Sequence, residues 1–197
     1  EQGRLLVVYH GSPTGTFNVF RTDYGVYFTT NKEYAKRYTR DYERGDSAKI
    51  YECYINIEKP FDTREKKARD IFNKEFYMHY GTGTALQESG LPDWTDGDDL
   101  VDFLKEKGYD YDGLLIDEGA DGGYGQDVTK RGISYVVFSP SQIKLTTNLN
   151  PTANEDIRYS LTDNKGRTLT KAQQEFFKDS KVRDEQGRLL EVYHGTN

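Results

Sequence analysis

Between Leu5 and Tyr38 the chain carries two apolar runs of strand length, each closed by small or polar residues, followed by a capped helical stretch. The first run, Leu5-Leu6-Val7-Val8-Tyr9, leads into His10-Gly11-Ser12. The second, Tyr24-Gly25-Val26-Tyr27-Phe28, passes through Thr29 and Thr30 to a helix opened by Asn31 and reaching Tyr38. Short runs of β-branched and aromatic residues bounded by turn residues form strands. Short strands with interrupting helices are compatible with an α+β architecture. A histidine at a strand end suits a binding site, because the glycine beside it lets a ligand approach the backbone. The tyrosines on the strand-to-helix connection offer aromatic faces to the same ligand.

The rest of the chain alternates short strand and helix signals. Residues 4–9 are expected as the first strand, and residues 13–23 as a polar loop anchored by Phe17 and Phe20. The helix capped by Asn31 is expected to reach about Tyr42. Residues 50–57 alternate, which turns Tyr51, Cys53, Ile55 and Ile57 inward, and Pro60 is expected to end that strand. Residues 64–80 place Ala68, Ile71, Phe72, Phe76 and Tyr77 at helical spacing and stop at Gly81. Residues 81–97 read as a loop with one helical turn at 85–89, and residues 98–107 as a helix ended by Gly108. Residues 113–117 form a buried strand, 118–131 a glycine-rich mobile loop, and 133–138 the last core strand.

Composition excludes several classes of function. The net charge is -6 with scattered signs, so no general nucleic-acid-binding face is expected, although a local basic patch is compatible with these numbers. Cys53 is the only cysteine, which rules out an intrachain disulfide and a cysteine zinc site and fits a reducing compartment. No metal site is expected. No apolar run reaches membrane length and no signal peptide is visible, so a cytoplasmic location is expected, in a bacterium or in a target cell after delivery. The chain starts without methionine and reads as a fragment. Sixteen tyrosines let a core form with few aliphatics, because each ring packs while its hydroxyl stays wet.

His10-Gly11-Ser12 resembles the His-Gly-Ser/Thr motif of ADP-ribosyltransferases of the diphtheria-toxin and poly-ADP-ribose-polymerase type. Gly25-Val26-Tyr27-Phe28, with Ala35 and Tyr38 following, is similar to that clade's second motif; Tyr27 and Tyr38 show its spacing of eleven. Tyr135 to Lys144 resembles the final strand and the segment after it. The likeness covers most of residues 1–150 and is greatest to the transferase domains of polyvalent proteins of phages and mobile elements. It implies an ADP-ribosyltransferase-like split β-sandwich of two small sheets with flanking helices. It also implies NAD as substrate, held in the cleft between the sheets.

By the same resemblance His10 would bind the adenosine ribose and the Gly11 backbone the carboxamide. Ser12 would complete the motif, and Tyr27 and Tyr38 would sandwich the nicotinamide. Taken alone, His10 would read as a hydrogen-bonded histidine at a strand end; in order with Gly11, Ser12 and Tyr27 the functional reading leads. For Tyr38, a helix-face aromatic in a tyrosine-rich core weighs equally. The third catalytic position is open. Polymerase-like members place a glutamate just before the core strand, where this chain has Ser134. Gln142 matches a glutamine that follows the strand in relatives, and Asp117, Glu118 and Asp127 are further alternatives. A missing glutamate favours transfer of a single ADP-ribose over chain elongation.

The remainder differs in character. Residues 149–169 read as a linker, and 170–197 as a helix capped by Thr170 and Gln173 plus the start of a repeated unit. Residues 185–195 repeat residues 1–11 with Glu191 for Val7 as the single change, which points to tandem units in a parent protein. The tail helix is expected to dock on the main domain, and the strand after it to pair with an exposed edge. The function expected is NAD-dependent mono-ADP-ribosylation of a protein or nucleic acid, by a toxin or host-modifying effector. The alternatives are an inactive relative that binds NAD or a protein, and an RNA 2′-phosphotransferase-like enzyme. Neighbouring repeat units are a further expected partner; a membrane is not.

Overall fold

The computed structural model describes residues 4–39, 48–76, 95–117 and 132–194. The strands are β1 (Val8–Ser12), β2 (Val26–Thr29), β3 (Lys49–Ile55), β4 (Pro60–Asp62), β5 (Gly113–Asp117), β6 (Ile133–Val137) and β7 (Ile143–Leu145). The helices are α1 (Lys32–Ala35), α2 (Lys66–Ile71), α3 (Thr95–Glu106) and α4 (Lys171–Phe176). A 3-10 turn, Lys36–Thr39, extends α1, and a π-helical turn, Phe72–Phe76, extends α2.

The fold is α+β, with one seven-stranded sheet in the order β4-β5-β6-β2-β1-β3-β7. Among the described residues only β4 and β5 pair in parallel within this sheet, so the sheet is not a doubly wound one. The two sheets expected are here two halves of one sheet. β4-β5-β6-β2 meets β1-β3-β7 through a single register pair, Tyr9 with Thr29. Every other pair of neighbouring strands is matched over at least three positions.

Each half has its own core. The helical half packs α2, its π turn and α3 on β4, β5 and β6, with Phe61, Phe72, Phe76, Leu100, Phe103 and Leu114 all at 1% exposure or less. In α3, Leu100, Val101, Phe103 and Leu104 share the inward face, as the 3.6-residue period requires. The other core joins β1, β2, β3, β6 and β7 through Val8, Phe28, Tyr51, Cys53, Val137 and Ile143. The alternation in β3 buries Tyr51 and Cys53 as expected, with Ile55 and Ile57 packed against the same cluster.

Several boundaries differ from expectation. β1 begins at Val8, not Arg4, and runs through Ser12 because β3 pairs with it as far as Lys49. His10 therefore lies inside the strand rather than at its end, while Leu5 and Leu6 are exposed. Pro60 opens β4 instead of ending β3; as the first residue of an edge strand it needs no ladder partner for its missing N–H. The expected ends of two helices at 42 and 80, the loop at 81–94 with its turn at 85–89, and the loop at 118–131 lie outside the described residues.

The stretch expected as a linker is packed. Ile157 is 1% exposed within the second core; its N–H donates to the Asn18 carbonyl at 2.9 Å and its carbonyl accepts from Leu145 at 3.1 Å. The Asn148 carboxamide donates to the Tyr159 carbonyl at 2.9 Å. α4 has the expected capping box of Thr170 and Gln173 but stops at Phe176, leaving Phe176 exposed. The strand segment after it bonds to this packed stretch rather than to a sheet edge: Leu189 donates to Thr162 and accepts from Asn164. The two repeated segments therefore settle differently, with Leu5 exposed and Leu189 buried.

Candidate active site

Past Tyr9, β1 stays on β3 through Ser12, while β2 stays on β6 from Val26 to Thr29. The sheet halves part at His10, and a cavity of about 860 Å³ opens there. Sites for small molecules and cofactors occupy roughly 300–1,000 Å³. Among the described residues the cavity is lined by His10, Gly11 and Ser12 of β1, Tyr27 of β2, Ser134 of β6 and Asp98 of α3. Tyr34 and Tyr38, from α1 and the turn after it, form a further part of the wall.

The His10 ring is fixed across the split. Its Nδ1 donates to the Tyr27 carbonyl at 2.9 Å, Phe20 meets it edge-on at 5.1 Å between centroids, and Phe28 lies at 5.6 Å. A carbonyl only accepts, so the proton sits on Nδ1 and the neutral ring keeps a lone pair on Nε2. Burial pushes the His10 pKa below its ordinary value, with the bond to Tyr27 acting in the opposite direction. At neutral pH His10 is thus an oriented acceptor for a ligand hydroxyl or amide.

Gly11 is required for a reason the sequence did not suggest. A Cβ there would lie 2.0 Å from the Ala35 carbonyl oxygen and 3.2 Å from the Tyr38 Cβ. The missing side chain lets α1 close on β1, and that approach brings Tyr34 and Tyr38 to the cavity. The helix is set in place by Asn31, whose side chain accepts from the Tyr34 N–H at 3.1 Å. The hydroxyls of Tyr34 and Tyr38 lie 3.1 Å apart, with the rings perpendicular at 5.6 Å. Ser12 is buried, and its Oγ accepts from the Thr14 N–H at 3.2 Å, turning the chain out of β1.

Tyr27 reaches across to α3. Its hydroxyl donates to Asp98 Oδ1 at 2.9 Å. A Cβ on Gly97 would sit 2.3 Å from that hydroxyl, so only a glycine lets the first turn of α3 cover the ring. Burial is the main influence raising the Asp98 pKa; the Tyr27 hydroxyl opposes it, and the charges of Asp99 and Asp102 add to it.

The structure brings His10, Gly11, Ser12, Tyr27, Tyr38 and Ser134 to one cavity. It does not bring Gln142 there. Gln142 Oε1 accepts from the N–H groups of Phe138 at 3.0 Å and Ser139 at 2.8 Å. Its Nε2 donates to the carbonyls of Asn56 at 2.7 Å and Asp112 at 2.8 Å. The carboxamide is thus consumed in bracing the β6–β7 corner, which corrects the expectation of a catalytic glutamine. Asp117 ends β5, where its N–H bonds Thr63 Oγ1, and it is not a cavity residue. Glu118 and Asp127 lie outside the described residues.

Residues 1–153 match the family model described as ADP-ribosyltransferase in polyvalent proteins. The chain belongs to that family. Searches of curated proteins and of solved structures return no match. Membership supports ADP-ribosyltransferase activity in general, and the cavity opens at the split in the sheet.

Sequence reasoning missed Asp98, Tyr24 and Tyr34 of the cavity wall. Tyr34 had a local signal, standing four residues before Tyr38 on one helix face. Asp98 had none, since its partner Tyr27 is 71 positions away. Among the described residues, no group of three or more His, Cys, Asp or Glu could hold a metal ion, and no helix is long and apolar enough to cross a membrane.

Proposed function

We propose that the protein is an NAD-dependent mono-ADP-ribosyltransferase acting on a macromolecule, as an effector or toxin of a phage or mobile element. The observation that carries this reading is His10. Its Nδ1 is tied to the Tyr27 carbonyl and Nε2 is left as acceptor, in a cavity that Tyr27 and Tyr38 also line.

NAD supplies an ADP-ribosyl group joined to nicotinamide by one glycosidic bond. The residues present fit such a ligand. His10 Nε2 accepts from an adenosine-ribose hydroxyl. β1 has no β2 partner after Tyr9, so the backbone edge at Gly11 is available to a carboxamide. Tyr27, held by Asp98, and Tyr38, held by Tyr34, supply aromatic faces for the nicotinamide. Positioning of this kind lowers the barrier by removing the search for a reactive geometry. Ser134 stands where polymerase-like relatives carry the glutamate of chain elongation, which supports transfer of one ADP-ribose. A 2′-phosphotransferase is disfavoured, because Arg21 is the one Arg or Lys among the described residues lining the cavity.

The test is transfer of label from NAD tagged on its adenine to a lysate protein or nucleic acid, compared between wild type and His10→Ala. Labelling that depends on His10 is the expected result. NAD binding without transfer by either protein would replace the enzyme with a binding relative.

A further inference from the structure

The transferase reading leaves one electrostatic requirement open. Breaking a glycosidic bond builds positive charge on the sugar carbon, and enzymes meet that charge with a carboxylate. On β6 the expected position holds Ser134, and the Gln142 carboxamide is spent on backbone groups. Among the described residues lining the cavity, one is an acid, and it is Asp98.

Its surroundings place it in the site rather than on a solvated helix face. Gly97 allows the first turn of α3 to close on Tyr27, and the Tyr27 hydroxyl donates to Asp98 Oδ1 at 2.9 Å. Oδ2 accepts no hydrogen bond from the described residues. The neighbouring acids on the same helix, Asp99 and Asp102, do not line the cavity. Asp98 is thus fixed by one oxygen and presents the other, beside the ring proposed to stack on nicotinamide.

We propose that Asp98 is the catalytic carboxylate of this site, supplied from α3 instead of from β6. This rests on the transferase reading. In the reaction the bond between C1′ and the nicotinamide nitrogen breaks, and its electron pair leaves with nicotinamide as a neutral base. A lone pair of the acceptor makes the new bond to C1′, and the acceptor's proton passes to solvent. Asp98 gives up no electrons and takes no proton; its fixed charge favours the positive carbon over the neutral product. It also favours the cationic ring of oxidised NAD over the neutral ring of NADH. This second consequence is measurable without turnover.

The experiment titrates NAD and NADH into wild type, Asp98→Asn and Tyr27→Phe by calorimetry, beside NAD cleavage at saturation. Asparagine keeps an acceptor for Tyr27 and removes the charge. Asp98→Asn should reduce the preference for NAD over NADH on the order of tenfold, the scale of one partly screened charge pair. It should slow cleavage by roughly 10²-fold or more with a smaller change in KM. Tyr27→Phe should lose less than about tenfold in rate. The preference is a ratio within each variant, so a partly unfolded preparation does not imitate its loss. Asp98→Asn with an unchanged preference would overturn the proposal. So would equal losses in Asp98→Asn and Tyr27→Phe, which would make Asp98 only a support for Tyr27. A wild type that binds neither nucleotide would overturn the transferase reading and this inference with it. A wild type matched by Asp98→Asn in both measurements would overturn this inference alone.

Discussion

Gln142→Ala should weaken the fold and spare the chemistry. The side chain makes four hydrogen bonds, all to backbone: Phe138 and Ser139 donate to it, and Asn56 and Asp112 accept from it. These tie the corner between β6 and β7 to the segment after β3 and to the approach to β5. A net hydrogen bond contributes about 0.5–1.5 kcal/mol. The bond to Asn56 is exposed, so water replaces it at little cost, whereas the other three are partly buried. The expected loss is about 2–4 kcal/mol. Urea unfolding followed by circular dichroism reads this as a lower midpoint with an unchanged slope. NAD cleavage per folded molecule, measured well below the transition, should stay within about twofold. A loss of under about 1 kcal/mol together with a tenfold fall in rate would refute the reasoning and return Gln142 to the catalytic set.

Further outcomes follow from burial and charge. His10 has its pKa lowered chiefly by burial, so the folded protein keeps it neutral below the ordinary histidine range. NAD affinity should hold as pH falls past about 6.5 and drop only through the lower folded-state pKa, as Nε2 takes a proton. The unfolded chain takes its proton first, so folding stability should already decline from about pH 6.5 down to the folded value, where affinity still holds; binding titrations between about pH 4.5 and 8 check the first and denaturant titrations the second. Ile157→Ala should cost about 2–5 kcal/mol, because it empties a site that is 1% exposed in the core. A chain ending at Asn150 should lose at least as much in thermal unfolding, and an unchanged midpoint in either would show that the stretch is a linker after all.

Periodicity made the regular parts of this protein legible. The alternation at Tyr51 and Cys53, the inward face of α3 and the buried strand Gly113–Asp117 each carry their pattern locally. The motif positions of His10, Tyr27, Tyr38 and Ser134 were readable because motif spacing is also local, and these residues line one cavity. What stayed hidden is long-range. Ile157 belongs to a short apolar patch, Ile157 to Leu161, in a polar stretch, and no period announces that it joins the core of Val8 and Ile143. Gln142 matched a motif position, but its carboxamide meets backbone groups as far off as Asn56, 86 residues back. Gly11 looked like an opening for a ligand, whereas its demand comes from Ala35 on the helix above. Asp98 is one of several acids on an amphipathic helix, and only the fold reveals that it meets Tyr27.

The central claim is that the split beside His10 binds NAD and transfers its ADP-ribose. The most direct measurement incubates the protein with adenine-tagged NAD and a lysate, then reads label on macromolecules by gel and mass spectrometry. Wild type should label an acceptor by a single ADP-ribose, and His10→Ala should lose at least about 10²-fold of that signal while remaining folded. Equal labelling by wild type and His10→Ala, or branched and extended chains on the acceptor, would contradict the account.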